Sequence, residues 1–126
     1  MKIVIDIKPI SEIRTIGCLD DYHYLSDGTL LFEIADTGSE VFNKLLVIHG
    51  MVEEILTHDQ GISGEAITAF DKEPSESEEP GEEINAPYRD AHLIADAVER
   101  ILLANLRIPI KVYNASIVKT LDGGTV

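Results

Sequence analysis

The hydrophobic period of this chain changes at "ADTGSE" (Ala35 to Glu40), and that switch restricts the fold more than any other feature. Before it, Ile3, Ile5 and Ile7 alternate with Lys2, Val4, Asp6 and Lys8 until Pro9 stops the pattern, as in a strand near a sheet edge. "YHYL" and "TLLFEI" flank "SDG", whose Asp27 and Gly28 carry turn chemistry, so Tyr22 to Ile34 is predicted to be a hairpin. After the switch the spacing is helical. Thr37 stands three residues before Glu40, the arrangement of a capping box, with Ser39 as a competing cap. Helix one is expected from about Ser39 to about Gln60, stopped by Gly61 in a left-handed conformation. "ISGEAITAF" opens a shorter helix with Ser63 as cap and Glu65 in its first turn, ending near Lys72. A third, capped by Asn85 with Pro87 at its first turn, runs from about Pro87 to Leu106. The tail "IPIKVYNASIV" is expected to return as a strand beside the N-terminal sheet, and "LDGGTV" to fray. The expected fold is therefore α+β, a small N-terminal antiparallel sheet or hairpin packed against about three helices.

A chain of 126 residues, 44% of them hydrophobic, fits one compact domain and can bury a core. Its expected parts are β-rich residues 1–36, two helices over 37–73, an acidic loop over 74–86, a helix over 87–106, and the strand and frayed tail over 107–126. "DKEPSESEEPGEE", Asp71 to Glu83, sets seven acidic residues against one lysine and contains two prolines. It lacks the Asp-x-Asp-x-Asp-Gly turn of a calcium loop and is expected to be a solvated excursion.

Ten basic residues against 23 acidic ones give a net charge of −13, and no basic cluster stands out. Such a chain repels nucleic-acid phosphates and anionic membranes, and its long-range field favours a basic protein partner. A single cysteine, Cys18, excludes an intrachain disulfide and suits a reducing compartment. The N-terminus lacks the apolar run and cleavage site of a signal peptide, and no segment has the length of a membrane span. These features lead to the expectation of a cytoplasmic protein.

Candidate chemistry concentrates on the first and third helices. His49 and Glu53, four residues apart, project from nearly the same helical face and can grip one ion. His92 shares a stripe with Asp96 and Glu99, and with Tyr88 and Ala95. Two such helices, antiparallel and packed, would bring His49, Glu53 and His92 together as two imidazoles and a carboxylate, a zinc environment with a fourth position for water. Asp96 or Glu99 would then orient the His92 ring.

The segments "LLVIHGMVEEIL", "GISGEAITAFD" and "EPGEEINAPYRDAHLIADAVERIL" resemble a family of small, uncharacterised bacterial and phage proteins whose first helix usually reads His-Glu-Leu-Val-Glu. The similarity covers about Tyr22 to Leu103. It implies a zincin-like layout, a hairpin leading into a metal-binding helix, with His49, Glu53 and His92 at the matching polar positions. Gly50 departs from the pattern: it stands where the family often has glutamate, which in zincins is the general base. The resemblance thus implies a zinc-binding protein, a degenerate or atypical metal-dependent hydrolase, without the usual base.

Other readings compete. His49 hydrogen-bonded to Glu53 with no metal would satisfy a buried imidazole, and Gly50 would then be a notch for a close neighbour. His58 and Asp59 form an adjacent dyad like that of metal-dependent phosphohydrolases, with His49 and Asp96 as further ligands, although a β-rich first third does not suit that all-helical fold. Glu53 with Glu54, and Asp96 with Glu99, resemble the magnesium-binding carboxylates of helical pyrophosphohydrolases, but Glu54 points about 100° from Glu53. Cys18 has no neighbouring histidine in sequence, and "GISG" is not a nucleophile elbow. The non-enzymatic alternative is an acidic protein-interaction module, of phage or prophage derivation by the same resemblance.

Overall fold

The computed structural model describes residues 1–14, 18–72 and 86–123. In chain order these form strand β1 (Ile3–Lys8), a short 3-10 turn (Ile10–Glu12), strands β2 (Asp20–Tyr24) and β3 (Leu30–Ala35), and helices α1 (Glu40–Asp59), α2 (Gly64–Lys72), α3 (Arg89–Leu106) and α4 (Ile110–Leu121). The architecture is α+β, as expected.

The sheet has the order β1-β3-β2. β2 and β3 form the expected antiparallel hairpin, with Tyr22 opposite Phe32. Asp27 Oδ1 accepts the Thr29 N–H at 2.9 Å and tightens its turn. β1 joins the other side of β3 in parallel, Ile3 beside Leu30 and Lys8 beside Ala35, so the sheet is mixed. Alternation follows the pleat: Leu30, Phe32 and Ile34 turn inward and are almost wholly buried. Each such side chain contributes about 1.5–3 kcal/mol relative to exposure. Leu46 of α1 completes this cluster, and Leu19, Tyr22, Met51 and Ile117 pack around it.

α1 begins at Ser39, whose Oγ accepts the Phe42 N–H at 3.3 Å. Thr37 and Glu40 do not form the capping box. Asn43 Oδ1 takes both the Thr37 N–H, at 2.9 Å, and its hydroxyl, at 2.7 Å, while Glu40 pairs with Lys44 on the surface. The helix stops where Gly61 takes φ +72°, a conformation that suits a residue without Cβ. Ser63 caps α2 through the Ala66 N–H at 3.1 Å. α3 packs along α1, and the fully buried Ala91 and Ala95 allow close approach. Residues 73–85, which hold most of the acidic segment and the expected cap Asn85, lie outside the described residues.

The tail corrects an expectation. Ile110–Leu121 is a helix, not a strand beside the sheet. The alternation Ile108, Ile110, Val112 is broken by Pro109, which sits at the helix N-cap, and Val112 is exposed. The buried residues follow helical spacing instead: Tyr113 and Ile117 pack with Leu45 and Leu103, and Thr120 is enclosed. Arg107, at φ +58°, reverses the chain between α3 and α4. Residues 124–126 of the expected frayed end lie outside the described residues. Among the described residues, no helix is long and apolar enough to cross a membrane.

Candidate metal centre

The inward face of α1 carries Asn43, Leu46, Gly50, Glu53 and Thr57 in helical register, with His49 beside them. The inward face of α3 carries His92, Ala95, Glu99 and Leu103. Packing the two stripes together places His49, Glu53 and His92 in one buried cluster, each at most 9% exposed. His49 Nε2 lies 2.6 Å from Glu53 Oε2 and 3.2 Å from His92 Nδ1. His92 Nδ1 lies 2.9 Å from the same Glu53 oxygen. A tetrahedral ion with ligand bonds of about 2.0–2.2 Å holds its donors roughly 3.4 Å apart, so slight opening would admit one. This group can hold a metal ion.

The structure also shows what stands behind these three side chains. Glu99 Oε1 is hydrogen-bonded to His49 Nδ1, and Asp96 Oδ1 lies 3.9 Å from that nitrogen. The expectation that Glu99 orients His92 is corrected: it serves His49, since seven residues of α3, about 10 Å of axial rise, separate Glu99 from His92. The other Glu99 oxygen accepts the Tyr113 hydroxyl, so α4 reaches the cluster through a relay from Tyr113 to Glu99 to His49. Tyr22 on β2 approaches Glu53 Oε1 at 3.5 Å.

Burial pushes an imidazole down, yet hydrogen bonds to Glu53 and Glu99, with the charge of Asp20, raise the His49 pKa well above its ordinary value. Burial pushes Glu53 up, but hydrogen bonds from His49 and His92 outweigh it and hold the carboxyl down to about 2. Burial raises Asp20 to about 7, with the charges of Glu53 and Glu99 adding to it against the opposing pull of His49. Burial and the Glu99 carboxylate push the Tyr113 hydroxyl far above the usual phenol range.

Gly50 is a packing notch, occupied by side chains from the sheet. A Cβ there would meet Asp20 Oδ2 at 3.1 Å and Phe32 Cδ1 at 3.3 Å. Glu54 turns elsewhere, accepting the Tyr24 hydroxyl at 2.7 Å. His58 and Asp59 sit at the far end of α1, about 13–15 Å along the helix axis from His49, so the phosphohydrolase set is not assembled.

A second grouping, Asp21, His23 and Glu33 on the outer face of the sheet, also has ligand-like spacing. It already has cationic neighbours. Arg14 Nε contacts Asp21 at 3.0 Å and Lys8 contacts Glu33 at 2.5 Å.

Asp20 and Tyr113 escaped the sequence reading. Asp20 carried a signal: an acidic residue in register with Tyr22 and Tyr24 on the inward face of its strand. Tyr113 carried one too, in the spacing of Tyr113, Ile117 and Thr120. No protein-family model, curated protein or solved structure matches the chain.

Proposed function

We propose that this chain is a zinc-binding protein of zincin-like layout, in which His49 and Glu53 of α1 and His92 of α3 are the protein ligands. The observation that carries the reading is the convergence of His49 Nε2, Glu53 Oε2 and His92 Nδ1 to within 3.2 Å, inside the protein and from two helices. Two nitrogens and one carboxylate oxygen suit zinc and leave a position for water or a substrate oxygen. Glu99 supports the same reading, since an acceptor at His49 Nδ1 fixes the tautomer that leaves Nε2 free to ligate.

A metal-free network is the alternative use of these groups, with His49 as an imidazolium between Glu53 and Glu99. It leaves the Asp20 carboxylate poorly served, because Asp20 Oδ2 is buried and has no hydrogen-bond partner among the described residues. A divalent cation answers the charge of the buried Glu53 and Glu99 and the partly buried Asp20 better than protons on imidazoles.

Bound zinc supplies Lewis acidity and lowers the pKa of a water on it, the chemistry of metal-dependent hydrolysis. The chain's own residues support that chemistry weakly. Gly50 provides no base, and Phe32 and Asp20 fill the space a glutamate there would need. The protein is accordingly a metal-binding protein with at most atypical hydrolase activity. Its net charge of −13 favours a second reading as an acidic module for a basic partner.

Elemental analysis of untagged protein separates the two. One zinc per chain, lost in both His49→Ala and His92→Ala, is the expected result. A wild-type chain that binds no transition metal rejects the site and leaves the interaction module.

A further inference from the structure

The glycine in the middle of α1 and the isolated carboxylate on β2 explain each other. Gly50 lies between a ligand, His49, and the rest of the inward face of the helix, where glycine is a poorer choice than alanine for helix stability. Its missing Cβ is the space in which Asp20 Oδ2 sits, 3.1 Å from where that atom would be. Phe32, wholly buried and 3.3 Å from the same point, has no room to withdraw. Any side chain at position 50 therefore competes with the Asp20 carboxylate.

The carboxylate has no other evident purpose. Its Oδ2 is buried and lacks a hydrogen-bond partner among the described residues. A carboxylate left without donors inside a protein is among the least favourable arrangements in a fold, unless positive charge stands close by. Tyr22, two residues along the same face of β2, reaches Glu53, so this strand flanks the metal centre. Asp20 is not among the three donors that lie within 4.8 Å of one another at His49, Glu53 and His92, which puts it outside the ligand triad.

We propose that Asp20 is the outer carboxylate of the metal centre, admitted by the Gly50 notch, and that it sets the site's preference for a divalent cation by supplying charge from beyond the three ligands. The inference rests on the zinc-binding reading above and adds a positioning residue to it. Asp20, Glu53 and Glu99 together present three buried or partly buried carboxylates to two imidazoles. That excess of negative charge favours a dication over a monovalent ion.

A charge partner and a structural residue respond in opposite ways to Asp20→Asn. The amide keeps the shape and removes the charge. In the presence of EDTA the variant should melt at a higher temperature than wild type, because an uncompensated carboxylate is gone. In competition titration with a chromophoric chelator, its affinity for Zn2+ should fall at least tenfold with stoichiometry kept at one. Gly50→Ala should also weaken Zn2+ binding, and adding it to Asp20→Asn should weaken binding little further, because both act on the same carboxylate. Zn2+ affinity in Asp20→Asn within twofold of wild type overturns the proposal while leaving the triad in place. A lower melting temperature in EDTA with unchanged affinity shows a purely structural aspartate and overturns it as well. A wild-type chain that takes up no zinc overturns both this inference and the reading on which it rests.

Discussion

Tyr113→Phe isolates one bond in the relay behind the candidate metal centre. The ring of Tyr113 is buried against Leu45 and Leu103 and meets Phe42 edge-on, with centroids 5.1 Å apart and planes at 72°. Phenylalanine keeps all of that packing. It removes only the hydroxyl that donates to Glu99 Oε2, while the other Glu99 oxygen keeps its bond to His49. A hydrogen bond to a charged acceptor contributes about 1.5–3 kcal/mol, and an enclosed carboxylate oxygen left without its donor keeps its full desolvation penalty. The expected loss is therefore about 2 kcal/mol, corresponding to roughly 6–12 °C in melting temperature for a chain of this size. Urea unfolding at pH 7 in EDTA measures it, with an unchanged m-value showing that both states keep their compactness. Double-mutant analysis with Glu99→Gln then assigns the loss to the pair. A loss below about 0.5 kcal/mol, or full additivity of the two substitutions, refutes the relay.

Three further outcomes follow from the same geometry. The metal-free chain should lose stability as pH rises from about 4 to 8: raised folded pKa values at Asp20, about 7 against 3.8, and at His49 mean that their contributions are present at low pH and lost on the way up. Glu53, held at about 2 against 4.5, acts in the other direction and mainly below pH 4.5, so urea midpoints in EDTA should peak near pH 4; a midpoint that climbs steadily to pH 8 contradicts this. Arg107→Gly should raise stability by about 0.5–1 kcal/mol, since glycine adopts φ +58° without the strain of a Cβ; thermal unfolding tests it, and a loss would show that the arginine side chain has a structural role. Asn43→Ala should cost about 2 kcal/mol against about 1 kcal/mol for Ser39→Ala, because Asn43 serves two groups of Thr37 and Ser39 one N–H of α1; equal losses in chemical denaturation would contradict that division.

The parts of the fold visible in the sequence are those in which one local rule acts alone. The hairpin, the start of α1 at Ser39 and its stop at Gly61 each follow from residues within a few positions. The pairing of His49 with Glu53 follows from helical geometry, and their meeting with His92 needed only the assumption that two apolar stripes pack. What the sequence hid depends on where elements cross. That Glu99 meets His49 depends on the level at which α3 passes α1, which no single-helix pattern encodes, whereas its spacing of seven residues from His92, about 10 Å along the axis, was legible. α4 was hidden by coincidence, because "IPIKVY" alternates for five residues before the helical spacing of Tyr113, Ile117 and Thr120 begins. Asp20 was hidden because its meaning lies in a gap on another element: only with β2 laid against Gly50 does a glycine in one segment account for an acid in another.

The parallel seat of β1 has a consequence for how molecules of this chain meet one another. β3 is the central strand, and one whole side of its backbone is satisfied by the first eight residues, Ile3 beside Leu30 through Lys8 beside Ala35. Those partners are synthesised well before β3, and parallel pairing across such a separation is slow to form. Until β1 docks, the strand that carries Leu30, Phe32 and Ile34 presents an open row of donors and acceptors, a template for any extended chain. The strand that should fill it is itself apolar, with Ile3, Ile5 and Ile7 still 43–47% exposed after docking. Two chains folding side by side can thus trade their N-terminal strands, each completing the other's sheet with the same hydrogen bonds it would make alone.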